Sequence, residues 1–375
     1  MSVIGNTALS FSEEQAMILD TAREFCRDKS PIAAVRSQLD SESGFDPAVW
    51  QEMMALGWTG ISVPEAYGGS GLGISALVPV VECMGRAMLG TPLVSSALAG
   101  QLILRAGNSE QLDRLLPGLA QGTAATVALL ENPDWGDNRI TCALDGSLKL
   151  QGRKKFVADA GEAQLFVVSA LQNGAPVLVV VQRGQLASEA ISAHTLIDET
   201  KRSATVDFSG VQVDKSNVIS GESVSGALRD IALLGALLTA AEASGTSGAC
   251  LDTVVEYLKT RKQFGRLIGS YQALKHPSVQ ILIDNDSTRS FLYHAATLVT
   301  DEPLSRDAEV ACRMAKAQAT ESLKYASDRA VQFHGGMGFT YECDAQLYIR
   351  RAQWSQQQFG DAQHHRKRLA ALLLD

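Results

Sequence analysis

Two short segments carry residue types suited to a flat, anionic ligand. Gln332-Phe333-His334-Gly335-Gly336-Met337-Gly338-Phe339-Thr340 packs three glycines into a turn after a helix-like run, and glycine lets backbone approach a ligand or another chain closely. Arg261-Lys262-Gln263-Phe264-Gly265-Arg266 is basic and helix-terminating, and its arginine, glutamine and phenylalanine suit a dinucleotide. We expect the two segments to serve one site. Each residue also has a plainer reading: Arg261 as a cation offsetting a helix dipole, Phe264 as core, Gly335 and Gly336 as a helix cap and turn, His334 as a packed turn histidine. Adjacent His364 and His365, followed by Arg366, point different ways on a helix and read as a solvated basic face rather than a metal site.

The composition narrows the partners. The chain has 375 residues and is 46% hydrophobic, enough for more than one core in a globular protein. Its net charge of -8, from 33 basic and 41 acidic residues, repels nucleic acid and anionic membrane. Six cysteines, scattered without CxxC pairs, fit reduced, buried thiols. Met1 to Phe11 lacks the basic flank and apolar core of a signal peptide, and no run reaches the roughly 18 to 20 apolar residues of a membrane span. The expectation is a soluble cytoplasmic protein with no metal centre.

The hydrophobic period changes twice along the chain. Residues 1–122 read as an amino-terminal helical domain, with Ser12 as a cap, a second helix opening at Asp46-Pro47, apolar helices at Ile74 to Met88 and Leu93 to Ala106, and a surface helix from Ser109 to Leu119. Residues 123–218 turn to strand-like runs at Ala124 to Leu130, Leu148 to Leu150, Leu165 to Ala170, Val177 to Gln182 and Thr205 to Val213. Asp145-Gly146 and Asn173-Gly174 punctuate them as turns, which predicts a small antiparallel barrel or sandwich. Residues 219–375 return to long helices, at Ala227 to Lys259, Gln272 to Val299, Ser305 to Phe333 and Asp344 to Leu374, as in a four-helix bundle. The first is rich in Ala, Gly and Ser, which predicts close packing.

This α+β order, with Pro64-Glu65-Ala66-Tyr67-Gly68-Gly69, the Tyr257 to Gly265 stretch with Gln272, and Gln332 to Thr340 followed by Tyr348-Ile349-Arg350-Arg351, resembles the acyl-CoA dehydrogenase family over essentially the whole chain. The resemblance implies a FAD enzyme that oxidises an acyl-CoA thioester to its trans-2-enoyl form. A carboxylate takes the α-proton, the β-hydrogen leaves as hydride to the flavin, and an electron-transfer flavoprotein-like acceptor follows. It also implies a dimer of dimers, in which Arg261, Phe264, Gln272, Gln332, Gly335 and Gly336 match positions that contact a neighbouring chain's FAD.

The chain departs from the family pattern where the chemistry is done. Aligning Gly360 places Phe359 where the family's glutamate base stands, and Gly235 and Ala236 occupy the alternative location in the first bundle helix. Asp361 is the nearest carboxylate and the candidate base, with helix capping or ion pairing as its structural alternative. Glu242 is a second candidate, in a stretch where an unpaired carboxylate would have a raised pKa. In the β domain Phe156 keeps the aromatic that touches the flavin ring, while Ala158 lacks the usual hydroxyl and Gly136 replaces a serine. This pattern resembles the base-lacking partner in bacterial α2β2 dehydrogenases of steroid side-chain degradation, so the expected partner is a second dehydrogenase-like subunit. A self-sufficient homotetramer using Asp361, a flavin oxidase and a flavin-free structural or regulatory subunit are the alternatives.

Overall fold

The computed structural model describes residues 13–137 and 139–374. The cap expected at Ser12 and the stretch Met1 to Phe11 lie outside the described residues.

Helices come first: α1 (Glu13–Lys29), α2 (Ile32–Ser37), α3 (Pro47–Ala55), α4 (Leu77–Ala87), α5 (Leu93–Ala106) and α6 (Ser109–Ala120). Local chemistry sets their starts. Asp46 caps α3 by accepting from Ala48 N at 2.8 Å, and Pro47 sits where a helix leaves an N–H unpaired anyway. Asn108 and Gln111 form a reciprocal capping box on α6, with bonds of 3.0 and 3.1 Å. That helix is amphipathic, since Leu115, Leu116 and Leu119 are buried beneath it.

The strands follow: β1 (Ala125–Ala128), β2 (Ala143–Leu144), β3 (Leu150–Gln151), β4 (Arg153–Ala158), β5 (Leu165–Gln172), β6 (Ala175–Gln182), β7 (Ile191–Ala193), β8 (Ser203–Asp207) and β9 (Val218–Ile219). They form two sheets, one ordered β3-β2-β5-β6-β9 with β1 also on β5, and one ordered β4-β8-β7. The sandwich expectation stands, but the antiparallel one needs correction: β1 and β2 both pair with β5 in parallel. Asn173 and Gly174, at φ +52° and +81°, close the β5–β6 hairpin, the geometry that short hairpins prefer. β5 is buried on both faces, which explains its unbroken apolar run. Leu165 and Val167 join the core shared with the helices, whereas Phe166 and Val168 pack towards the second sheet.

The chain ends in α7 (Ser223–Thr260), a short hairpin of β10 (Lys262–Gln263) and β11 (Arg266–Leu267), α8 (Gln272–Leu298), α9 (Arg306–His334), α10 (Ala345–Gln357) and α11 (Ala362–Leu374). α9 packs against α7, α8, α10 and α11. The expected single helix from Asp344 to Leu374 is therefore two. Phe359 and Gly360, both at positive φ (+54° and +95°), break it, and Gly360 adopts at no steric cost a conformation that a side chain resists. Close packing of α7 is borne out: at Gly245 an added Cβ would meet Glu82 O at 1.8 Å, so backbone rests on backbone at the α4 crossing. Among the described residues α7 alone is long and apolar enough to cross a membrane, and 72% of its most apolar window is buried in the protein.

Candidate functional site

Between the helices and the β sheets lies an open cleft, with about 980 Å³ of space in it and at its mouth. Three local devices aim side chains into it. The loop after β1 carries Trp135 and is anchored by buried Lys154, whose Nζ donates to Glu131 Oε1 at 2.6 Å and Ser169 Oγ at 2.9 Å. A bulge in β4, where the register with β8 shifts between Lys154 and Val157, gives Phe156 a φ of +52° and turns it to the cleft. The break between α10 and α11 brings in Phe359, whose ring lies 4.3 Å from that of Trp135.

The polar part of the wall is an ion network. Arg351, fully buried on α10, donates to Asp198 Oδ2 at 2.5 Å, to Glu242 Oε1 at 2.8 Å and to Thr200 Oγ1. Lys201 reaches Glu242 Oε1 at 2.5 Å and lies 4.9 Å from the Trp354 ring. The expectation of a raised Glu242 is thus corrected. Burial would raise it, but the charges of Lys201 and Arg351 more than offset that and hold the carboxyl below the ordinary glutamate value. A carboxylate held this way is a poor proton acceptor near neutral pH.

Asp159 is the group that sequence reasoning passed over. It follows β4 at φ +53°, lines the cleft and accepts from Ser95 Oγ at 2.6 Å. Burial raises its carboxyl to about 6, with the Ser95 hydroxyl and the Lys201 charge acting the other way. A non-glycine residue at positive φ leaves no periodic pattern, and Ser95 lies on a distant helix. Lys201, set in ordinary loop sequence, gave no signal either, and Arg351 stood out only as the end of the family-like Tyr348-Ile349-Arg350-Arg351 stretch, with no role at the cleft.

The sequence-derived catalytic candidates fall outside the cleft or lack acid-base chemistry. Phe359 occupies the cleft wall and packs on Gly235, where an added Cβ would lie 2.3 Å from Phe359 Cε1. Asp361 does not line the cleft; its Oδ1 accepts from His364 N at 2.7 Å at the start of α11. Behind it, buried Lys316 donates to Ser355 O at 3.0 Å and Gly360 O at 2.8 Å, and burial pushes its amine down to about 7. The solvated face expected at His364 and His365 is corrected: His365 is buried and pushed down to about 3, and only Arg366 is exposed, paired with Glu321. No cluster of metal-ligating side chains occurs among the described residues.

The two glycine- and arginine-bearing segments meet at one end of the bundle. Tyr257 stacks on His334 at 4.1 Å, and Leu258, Ile268 and Phe333 share one apolar cluster. His334 Nδ1 also bonds to Ala330 O at 2.7 Å, as expected of a packed turn histidine. Arg261, Gln272, Gln332, Gly335 and Gly336 are exposed there, and Phe264 is 91% exposed, so it is not core. Among the described residues the Arg261 side chain has no bonded partner, and an added Cβ at Gly335 or Gly336 would meet nothing within 4 Å. An open glycine backbone beside an unpaired guanidinium and two amides suits the pyrophosphate and adenine of a dinucleotide such as FAD.

Comparison with known proteins identifies the family. Residues 12–123 match the acyl-CoA dehydrogenase N-terminal domain and residues 232–374 the C-terminal domain. The acyl-CoA dehydrogenase IpdE2 of Mycolicibacterium smegmatis is 30% identical over 362 residues, covering 96% of this chain and 99% of that protein. A variant of the Tcur3481–Tcur3483 steroid ACAD superimposes with a TM-score of 0.82 at 26% identity, covering 96% of this chain and 98% of that one. A chain of the ChsE4–ChsE5 complex from Mycobacterium tuberculosis shares the fold, with a TM-score of 0.86 at 22% identity over 98% of each chain. The chain belongs to the acyl-CoA dehydrogenase family and is, as such, an FAD-dependent oxidoreductase.

Proposed function

We propose that this chain is one subunit of a paired acyl-CoA dehydrogenase, in which a second, homologous subunit supplies the carboxylate that removes the α-proton of the thioester. The observation that carries this reading is the Phe359 ring on Gly235: one hydrocarbon side chain occupies both places where a base is expected. The carboxylates do not replace it: Glu242 is tied to two cations, Asp361 lies outside the cleft at a helix end, and Asp159, the remaining cleft carboxylate, is held by the Ser95 hydroxyl away from both positions. At the bundle end, Arg261, Gln272 and Gln332 would hold the FAD of the adjoining subunit, with Gly335 and Gly336 offering bare backbone and Phe264 an apolar face. Bound FAD supplies the two-electron acceptor for the hydrogen leaving the β-carbon. Within the cleft, Trp135, Phe156 and Phe359 exclude water from whatever lies between them.

The names of two similar structures support pairing, one being a complex of two chains and the other a two-part steroid ACAD. A steroid-derived acyl-CoA is accordingly the substrate class we favour, and an electron-transfer flavoprotein the acceptor. The test is to express the chain alone and together with its genomic neighbour. Co-purification with one FAD per two chains, and dehydrogenase activity only in the pair, is the expected outcome. A full complement of FAD and activity in the lone protein would overturn the reading.

A further inference from the structure

The cleft keeps a polar group that a base-free subunit has no catalytic use for. Asp159 Oδ2 is bonded to Ser95, yet no side chain among the described residues is bonded to Oδ1. The cleft wall is largely apolar, with Val81, Met84, Val94 and Leu98 among its lining. Thr91 Oγ1, four residues before Ser95, is buried in the same wall and has no partner among the described residues. A hydrocarbon ligand there would shut both polar atoms away from water without replacing the lost hydrogen bonds, an arrangement that buried polar groups avoid.

Asp159 stands on a different element from the two expected base positions, after β4 rather than on α7 or at the α10–α11 break. Asp159 feels the charges of Lys201 and Glu242, and Glu242 lies seven residues beyond Gly235 on α7. That is about two helical turns, or roughly 10 Å along the axis, from Gly235. The positive φ of Asp159 adds a second sign, because backbone strain of this kind persists where the surroundings hold a side chain in a required direction.

We propose that this chain's own cleft binds an apolar acyl chain bearing a hydroxyl, with Asp159 Oδ1 accepting the hydroxyl's hydrogen bond and Thr91 offering a second polar contact. The site is distinct from the trans contacts at the bundle end, and it holds whichever subunit carries the base. Hydrogen bonds to an ionised acceptor discriminate strongly, because the analogue without the donor leaves the carboxylate desolvated and unpaired.

Isothermal titration calorimetry of the purified protein, in its pair where one forms, tests this with three probes: dodecanoyl-CoA, 3-hydroxydodecanoyl-CoA and 12-hydroxydodecanoyl-CoA. At least one hydroxylated probe is expected to bind about tenfold to a hundredfold more tightly than dodecanoyl-CoA at pH 8. Asp159→Leu should abolish that preference, and Asp159→Asn, which keeps the shape, should weaken it. Equal binding of all three probes overturns the inference and leaves subunit pairing standing. A preference that survives Asp159→Leu, or binding of no probe, overturns it as well.

Discussion

Phe359 and Gly235 are complementary across the cleft wall: the ring lies where a side chain on residue 235 would have to begin, and a Cβ there would sit 2.3 Å from Phe359 Cε1. Space for the ring exists only because residue 235 has no side chain, and a carboxylate projecting from α7 at this level would require the ring to leave. The ring at 359 thus excludes a base at 235.

Gly235→Ala should consequently destabilise the protein by about 1–3 kcal/mol, the usual cost of overpacking. The mutation removes a mid-helix glycine, which by itself would gain about 1 kcal/mol, so the clash has to exceed that gain. In a Phe359→Leu background the cost should shrink or reverse. Urea denaturation of the four proteins gives the coupling directly, and additive effects would mean the two residues do not share this space.

Asp361→Asn tests the helix-cap role against the catalytic one. Asparagine caps about as well as aspartate, so stability should change by less than about 1 kcal/mol and kcat of the paired enzyme should stay within a factor of two. A base lost by the same change would lower kcat by orders of magnitude.

Much of the fold was legible because periodicity records burial. Leu93 to Ala106, the Gln272 start of α8 and the Asn173-Gly174 hairpin all fall where apolar spacing or turn chemistry put them. The break at Phe359 and Gly360 was hidden, since the helical pattern on either side runs through it and only the backbone conformation marks the stop. Parallel pairing of β1 with β5 was hidden for another reason: partner choice between distant strands is a tertiary outcome that no local pattern encodes. At the site, glycine and arginine at the bundle end could be read from residue type. Asp159 could not, because its significance comes from Ser95, Lys201 and a cleft assembled from three distant stretches of chain.

Arg351 holds two acidic groups from two different parts of the chain, Asp198 and Glu242, while itself fully buried. Removing it by Arg351→Met leaves Asp198 without its cation and Glu242 with Lys201 alone. The expected loss is about 3–5 kcal/mol, larger than either bond alone would suggest, because the remaining charges stay buried. A thermal or denaturant midpoint at the wild-type value would mean that the network contributes little to stability. Arg351→Lys should rescue only in part, since a compact ammonium lacks the spread, planar donors with which the guanidinium reaches Asp198, Glu242 and Thr200 at once.

Asp159 carries the clearest pH signature. Its carboxyl titrates at about 6 in the folded protein against an ordinary value of 3.8, so between these values the folded state binds more protons than the unfolded one. Stability at this group therefore falls as pH rises from about 4 to about 6 and stays low above that. Asp159→Asn removes the ionisation while its side-chain oxygen still accepts from Ser95. The variant should be more stable than wild type by roughly 1–3 kcal/mol at pH 8, with the advantage gone at pH 3. Denaturation midpoints of both proteins across that range decide the matter: a variant equal to or weaker than wild type at pH 8 would show that the carboxylate is comfortably solvated, and that the cleft wall imposes no demand a ligand hydroxyl could meet.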